Sequence, residues 1–282
     1  MSASPLSSAR SARAAIAERL TEAMRDAGLT GLDLADRCGW SKSKSSRIAR
    51  GITPPSDSDI RAWCDACGVP ELAADLIAAS RSADAMYVEW QRLHRDGMRR
   101  VHEKTTPLYR RTRNFRVYAS NLVPGLLQTG EYATGLLRSI TAFQHTPDDI
   151  EEAVAARLAR SRVVVEGDHT FALLLEETVL YYRVCDETAM AAQLGSLLSV
   201  MKRPNVSLGI IPFEARRTVW PLEAFYAFDG TQVAVETLTA EINVTSPGEI
   251  RTYLRAFGQL SRLAVRGPEA RVRITRAIDT LG

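Results

Sequence analysis

GLTGLDLADRCGWSKSKSSRIARG, residues Gly28 to Gly51, is the stretch from which the rest of the chain is read. Two short helical patterns flank the tight break Cys38-Gly39-Trp40-Ser41. In the first, Leu32, Leu34, Ala35 and Cys38 give an apolar face, and Thr30 is placed to cap its start. In the second, Ser41 is a natural cap, and Lys42, Ser43, Lys44, Ser45, Ser46, Arg47 and Arg50 crowd around the apolar Ile48. Gly39 stands where a helix ends in the left-handed conformation, which glycine enters at no steric cost. Two short helices joined this way predict a helix-turn-helix, whose second helix enters the DNA major groove.

Charge supports that reading. Lys42 to Arg50 holds four basic residues and no acidic one. Such a face suits phosphates and guanine edges. The bland alternative is a solvated helix face, which is what charge runs usually are. Turn chemistry, spacing and charge agree with one another, and that agreement favours DNA.

Outward from this stretch, Ile16, Leu20, Ala23, Met24 and Ala27 repeat at helical spacing, predicting a first helix from Ala12 to Ala27 that Gly28 stops. Residues 1–11 lack an apolar signal core and read as a disordered leader. Gly51-Ile52-Thr53-Pro54-Pro55 is a rigid loop, and Ser56 or Asp57 caps a fourth helix through about Ala66. Gly68-Val69-Pro70 breaks it, and Glu71 to about Ala83 forms a fifth. Residues 12–83 thus make an all-α, five-helix DNA-binding domain. Cys64 and Cys67 form a C-x-x-C pair, but both fall on the apolar face with Ile60 and Trp63. Without a second pair they read as small buried hydrophobes rather than a zinc or redox site.

At 282 residues the chain predicts two domains. Its net charge of +3 is small, but residues 81–116 hold ten basic side chains against four acidic ones. Residues 84–113 therefore read as a basic helical linker. Between Tyr87 and about Lys104 it either follows DNA phosphates or packs as a surface helix on the second domain, with the second option preferred. Residues 114–282 read as a mixed α+β domain with a sheet of about five strands. The strands are Phe115 to Ala119, Phe171 to Leu175, Val206 to Ile211, Ala224 to Phe228 and Val233 to Leu238, the last two joined at Asp229-Gly230. Thr146-Pro147-Asp148-Asp149 predicts a helix start, with Ile150, Val154 and Leu158 as its apolar face. Ser246-Pro247-Gly248-Glu249 predicts a capping box. No apolar run approaches the roughly 20 residues a membrane helix needs. A cytoplasmic, nucleoid-associated protein is expected.

The second domain offers no nucleophile elbow, phosphate loop or zinc-binding His pair, so no enzymatic activity and no cofactor or metal are expected. Glu176 and Glu177 sit side by side after a strand, where alternation sends them to opposite faces and makes them a poor acid/base pair. Glu236 suits a structural salt bridge to an arginine better than a ligand site. Arg157, Arg160 and Arg162 fit a solvated helix end or a partner contact equally well.

Leu29-Thr30, Leu34-Ala35, Gly39, Ser41, Ser46-Arg47-Ile48 and Arg50-Gly51, followed by Pro54 or Pro55 and Ser56, resemble the signature of XRE-type (lambda-repressor-like) helix-turn-helix regulators. Three positions depart from that signature. Gly31 stands where a phosphate-touching glutamine is usual. Ser45 replaces a branched apolar anchor, and Ala49 replaces a common glutamate. Leu122-Val123-Pro124-Gly125-Leu126-Leu127-Gln128-Thr129, then Arg203-Pro204-Asn205-Val206 and Val235-Glu236-Thr237, are similar to a C-terminal domain common in actinobacterial XRE-type regulators, with V-P-G-L-L-Q-T the most specific run. The resemblance implies an antitoxin-like or developmental regulator, often encoded beside a small partner protein, whose ligand stays unknown.

The expected DNA-contacting residues are Thr30, Ser41, Lys42, Ser43, Lys44, Ser46, Arg47 and Arg50. Arg47 has the planar fork that pairs with guanine O6 and N7, Lys44 reaches the same groove, and Arg50 meets phosphate. If Ser45 rotates the helix, Lys42 and Ser46 do the reading instead. A single recognition helix buries little surface, so a homodimer on double-stranded DNA is expected, joined through the second domain. The competing hypothesis is a small-molecule-binding protein or enzyme that uses the N-terminal helices for protein contacts.

Overall fold

A computed structural model describes residues 5–89 and 97–282. The chain divides into two compact units, Met1–Val88 and Glu89–Gly282.

The first unit is five helices: α1 (Pro5–Asp26), α2 (Gly31–Cys38), α3 (Lys42–Ala49), α4 (Asp57–Ala66) and α5 (Leu72–Met86). α1 packs on α3, α4 and α5. Ile16, Leu20, Leu34, Ile48, Ile60, Trp63 and Leu76 form the core, and the indole N–H of Trp63 donates to the Leu20 carbonyl at 2.8 Å. α1 starts at Pro5 rather than Ala12, so residues 5–11 of the expected leader are helical. Proline is suited to a first turn, and no helix breaker follows it. Residues 1–4 lie outside the described residues. Cys64 and Cys67 are buried free thiols in this core.

A short strand, β1 (Tyr87–Glu89), lies where the units divide. Part of the expected linker, residues 90–96, falls outside the described residues. Its first residues, 84–86, end α5, and α6 (Arg99–Arg111) belongs to the second unit, where His102 and Tyr109 are buried. Then follow β2 (Asn114–Ala119), α7 (Gly130–Gln144), α8 (Ile150–Ser161), β3 (Thr170–Glu176), α9 (Glu187–Val200), β4 (Val206–Ile211), β5 (Phe225–Phe228), β6 (Gln232–Glu236), β7 (Ala240–Val244), α10 (Pro247–Leu263) and α11 (Gly267–Asp279).

Six strands of this unit form one mixed sheet in the order β7-β6-β5-β2-β3-β4. β2, β3 and β4 run parallel, with Val117 opposite Leu173 and Leu173 opposite Leu208. Parallel strands joined by helices are covered on both faces, which suits the unbroken apolar run Leu173-Leu174-Leu175. β5, β6 and β7 continue the sheet antiparallel from β2. Phe115 and Phe228 meet Tyr109 of α6 on one face, with Phe171 stacked on Phe115, and Tyr253 and Phe257 of α10 cover Phe225 on the other.

β7 is a strand beyond the five expected. α8 starts at Ile150, and its cap residue Asp149 makes no side-chain bond to its own helix. The Asp149 carboxylate instead accepts from the backbone N–H groups of Met98 (2.9 Å) and Arg99 (2.8 Å), closing the start of α6. Ser246 leads into α10 without a side-chain cap bond, so the capping box expected there does not form.

The V-P-G-L-L-Q-T run is a junction. Pro124 leads into a 3₁₀ turn, Gly125–Leu127, whose leucines enter the core. Gln128 is buried and donates to the Val123 carbonyl at 2.7 Å, while Thr129 caps α7. Gln193 of α9 accepts from the Thr129 N–H and donates to the Leu127 carbonyl, both at 2.8 Å.

Candidate nucleic-acid interface

Local hydrogen bonding fixes the two helices of the motif. Thr30 and Asp33 form a reciprocal capping box, with Thr30 N–H donating to Asp33 Oδ2 at 2.9 Å and Asp33 N–H to Thr30 Oγ1 at 3.3 Å. The hydrogen bonds from Thr30 hold the Asp33 carboxyl below the usual range. At the other end Gly39 is left-handed, with φ 66°, and Trp40 N–H donates back to the Ala35 carbonyl at 2.8 Å. Ser41 then caps α3 by accepting from Lys44 N–H at 3.3 Å. Leu34 and Ala35 are buried, but Leu32 is 54% exposed. Two residues before Leu34, it lies about 200° around the helix from it, so the expected apolar face of α2 excludes it.

Ser45 anchors α3. Only 2% exposed, its hydroxyl donates to the carbonyls of Gly31 (3.2 Å) and Lys42 (3.1 Å). The hydroxyl thus ties α3 to the first residue of α2 where a branched apolar side chain would pack. Ile48, one turn on, enters the core.

The outward face of α3 carries Lys42, Ser43 and Arg47, all exposed, with Ser46 half-buried beside them. Arg50 is exposed at the helix end and folds back onto Ser46, donating to its hydroxyl at 2.8 Å. No acidic side chain stands on this helix. Lys44 is placed differently. Its ammonium lies 2.6 Å from Asp59 Oδ1 on α4 and 4.4 Å from the centre of the Trp40 ring. Burial raises the Asp59 pKa, and the hydrogen bonds from Lys44 and Ser56 outweigh it, leaving the carboxyl below its usual range.

The eight residues singled out in the sequence therefore divide by what they touch. Thr30 and Ser41 hold the ends of the helices, Lys44 is paired, and Lys42, Ser43, Ser46, Arg47 and Arg50 form the outer surface. Asp59 and Trp40, which sequence reasoning did not assign, flank that surface through Lys44.

Burial raises all four thiols and pushes Cys67 up to about 11, so these are neutral side chains at ordinary pH. Among the described residues no group of three His, Cys, Asp or Glu could hold a metal ion. No helix among them is long and apolar enough to cross a membrane.

Residues 108–276, more than half of the chain, match the family described as a domain of unknown function, DUF5753. The chain belongs to that family. Residues 15–76 match a helix-turn-helix domain, a span that runs from within α1 to within α5. The first unit is therefore a helix-turn-helix domain, followed by the α+β unit that defines the family. No curated protein matches the chain. Among solved structures, the archaeal chromatin protein TrmBL2, described as showing a novel mode of DNA binding, overlaps 75% of this chain and 69% of its own, at 12% identity and a TM-score of 0.32. At that score the overlap carries no argument.

Proposed function

We propose that the protein is a sequence-specific, DNA-binding transcriptional regulator of the XRE type. One observation carries this reading: an acid-free α3, fixed by the Gly39 turn and the Ser45 tie, that presents Lys42, Ser43, Ser46, Arg47 and Arg50 outward. Such a helix places its first turns against base edges and its end against phosphate. Arg47 reads guanine and Arg50 positions the backbone. The second unit senses a ligand or a small partner protein and joins two copies, with no catalysis, as in the antitoxin-like or developmental regulators of actinobacteria that its motifs resemble. The protein acts in the cytoplasm, on the nucleoid.

Gel retention of operator DNA, selected from a random duplex library, tests the reading. Retention lost in the Lys44→Met, Arg47→Ala double variant, with the fold intact by circular dichroism, is the expected result. A protein that selects no sequence refutes it. Light scattering on the free protein checks the dimer, which a particle of 31.1 kDa at micromolar concentration excludes.

A further inference from the structure

Within the second unit a cavity of about 460 Å³ opens between α6, α8, the Leu122–Gln128 junction and the β5-β6-β7 end of the sheet. Its volume lies in the range of small-molecule sites. Leu122, Leu136, Leu137 and Ile140 supply an apolar wall, and Arg157 and Arg160 of α8 line the same space.

Two arginines on one helix face, Arg160 buried and Arg157 half-buried, need an explanation. Elsewhere in this unit, buried charges are paired. Glu176 takes Arg217, and Glu177 takes Arg273 at 2.8 Å. Arg157 and Arg160 form no ion pair among the described residues. Arg160 is 8% exposed, yet its partners are the Thr105 hydroxyl, at 2.6 Å, and the Tyr109 ring, 4.5 Å from its guanidinium carbon. Its Nε–H is buried without an acceptor. Arg157 donates to the Gln128 side-chain carbonyl at 2.5 Å and to His102 Nε2 at 3.4 Å. Burial first, and then the neighbouring Arg160, lower the Arg157 pKa. Two adjacent guanidinium groups solvated by neutral acceptors are costly to keep unless an anion completes them.

The same cavity also carries charge of the opposite sign, near enough for Glu236 to act on Arg157 and for Arg160 to act on Glu241. Glu236 and Glu241 stand opposite each other on β6 and β7 and also line it. Glu236 is exposed and forms no ion pair among the described residues, contrary to the salt bridge expected for it. Burial, and then Glu236, raise the Glu241 pKa. A ligand with a second negative end would meet these carboxylates.

We infer that this cavity is the seat of the sensing role proposed for the second unit, and that its ligand is a small amphipathic monocarboxylate held at its anionic end by Arg157 and Arg160. The inference rests on that proposed role but not on DNA binding itself. The carboxylate accepts from the guanidinium N–H groups, the chain lies on the leucine wall, and Glu236 and Glu241 exclude dianions.

Calorimetric titration of the full-length protein with octanoate, 1-octanol and octanedioate tests it. Octanoate should bind at one site at least about tenfold more tightly than either analogue, the worth of a charge-assisted hydrogen bond. Arg160→Met and Arg157→Gln should each weaken octanoate about tenfold and leave octanol unchanged. Octanoate that binds no better than octanol, or not at all at millimolar concentration, overturns the inference. The wild-type comparison needs no variant, so a misfolded variant cannot decide it. DNA binding measured on the same samples separates the two readings. Octanoate binding without DNA binding removes the regulator and keeps the site, whereas DNA binding without octanoate binding removes the site alone.

Discussion

Asp59→Asn removes the carboxylate that holds Lys44 away from the outer face of α3. The lysine side chain is 43% exposed and the aspartate 16%, so the pair has the strength of a surface contact, about 0.2–1 kcal/mol. The asparagine keeps an oxygen that accepts from Ser56 N–H, now at 3.1 Å, so the start of α4 loses charge but not its bond. With the helix-dipole contribution of a further 0.3–1 kcal/mol, the expected destabilisation is about 1 kcal/mol, or roughly 4–8 °C for a domain of this size. Because the Asp59 pKa is depressed in the fold, its contribution is present above the unfolded value of about 3.9 and lost as pH falls through the folded one. The variant should therefore lose less stability on acidification. For DNA the sign reverses. Freeing Lys44 adds one cation to the surface, steepening the slope of log K against log salt by about 0.9 and tightening low-salt binding up to about fivefold. Fluorescence anisotropy of labelled operator DNA between about 50 and 200 mM salt measures both. Lys44→Met should abolish the gain. An unchanged slope, or a gain that survives Lys44→Met, refutes the reasoning.

Arg47→Ala should weaken operator binding by about 1–3 kcal/mol and flatten preference at one base position, read by binding across a sequence library. Equal weakening of every sequence would assign base reading elsewhere on α3, with Lys42 and Ser46 next. Ser45→Ala should cost about 1 kcal/mol of stability through the lost tie to Gly31, measured by thermal melting of the first unit. An unshifted melt would mean that Ile48 alone fixes α3. Arg217→Met leaves Glu176, 5% exposed, with Tyr118 as its remaining side-chain donor, at 2.7 Å. The expected loss is about 1–3 kcal/mol. Calorimetric melting that shows no loss contradicts it.

What the sequence made legible was what neighbouring residues settle among themselves. Caps at Thr30 and Ser41 and the left-handed Gly39 depend on residues within one turn, so residue type and spacing sufficed. The partners of Ser45 and Lys44 lie on other helices, and only the fold brings Gly31 and Asp59 to them. β7 was hidden by its turn. Ala240, Ile242 and Val244 alternate inward, but Thr237-Leu238-Thr239 carries no glycine, proline or asparagine. The Thr237 hydroxyl closes that turn by donating to the Ala240 carbonyl at 2.9 Å and accepting from its N–H at 3.1 Å. The arginines of α8 were misplaced by assuming that charge faces outward. Ala153, Arg157 and Arg160 share the inner stripe, and Leu158 is exposed. The junction motif was recognisable from its residues, but its part in holding Arg157 through Gln128 required the folded chain.

The contact between Lys44 and Trp40 makes the first unit its own optical reporter. Trp40 lies 6.2 Å from Trp63, centre to centre, with the two rings tilted at 56°. Trp63 is sealed in the core and hydrogen-bonded to Leu20, so its emission follows whether the unit is folded. Trp40 sits beneath a cation that a duplex would draw away, so its emission follows the position of Lys44. Trp220, 72% exposed in the other unit, supplies a solvent-facing reference. Unfolding and engagement thus fall on different indoles, and replacing each with phenylalanine assigns them without attaching a dye.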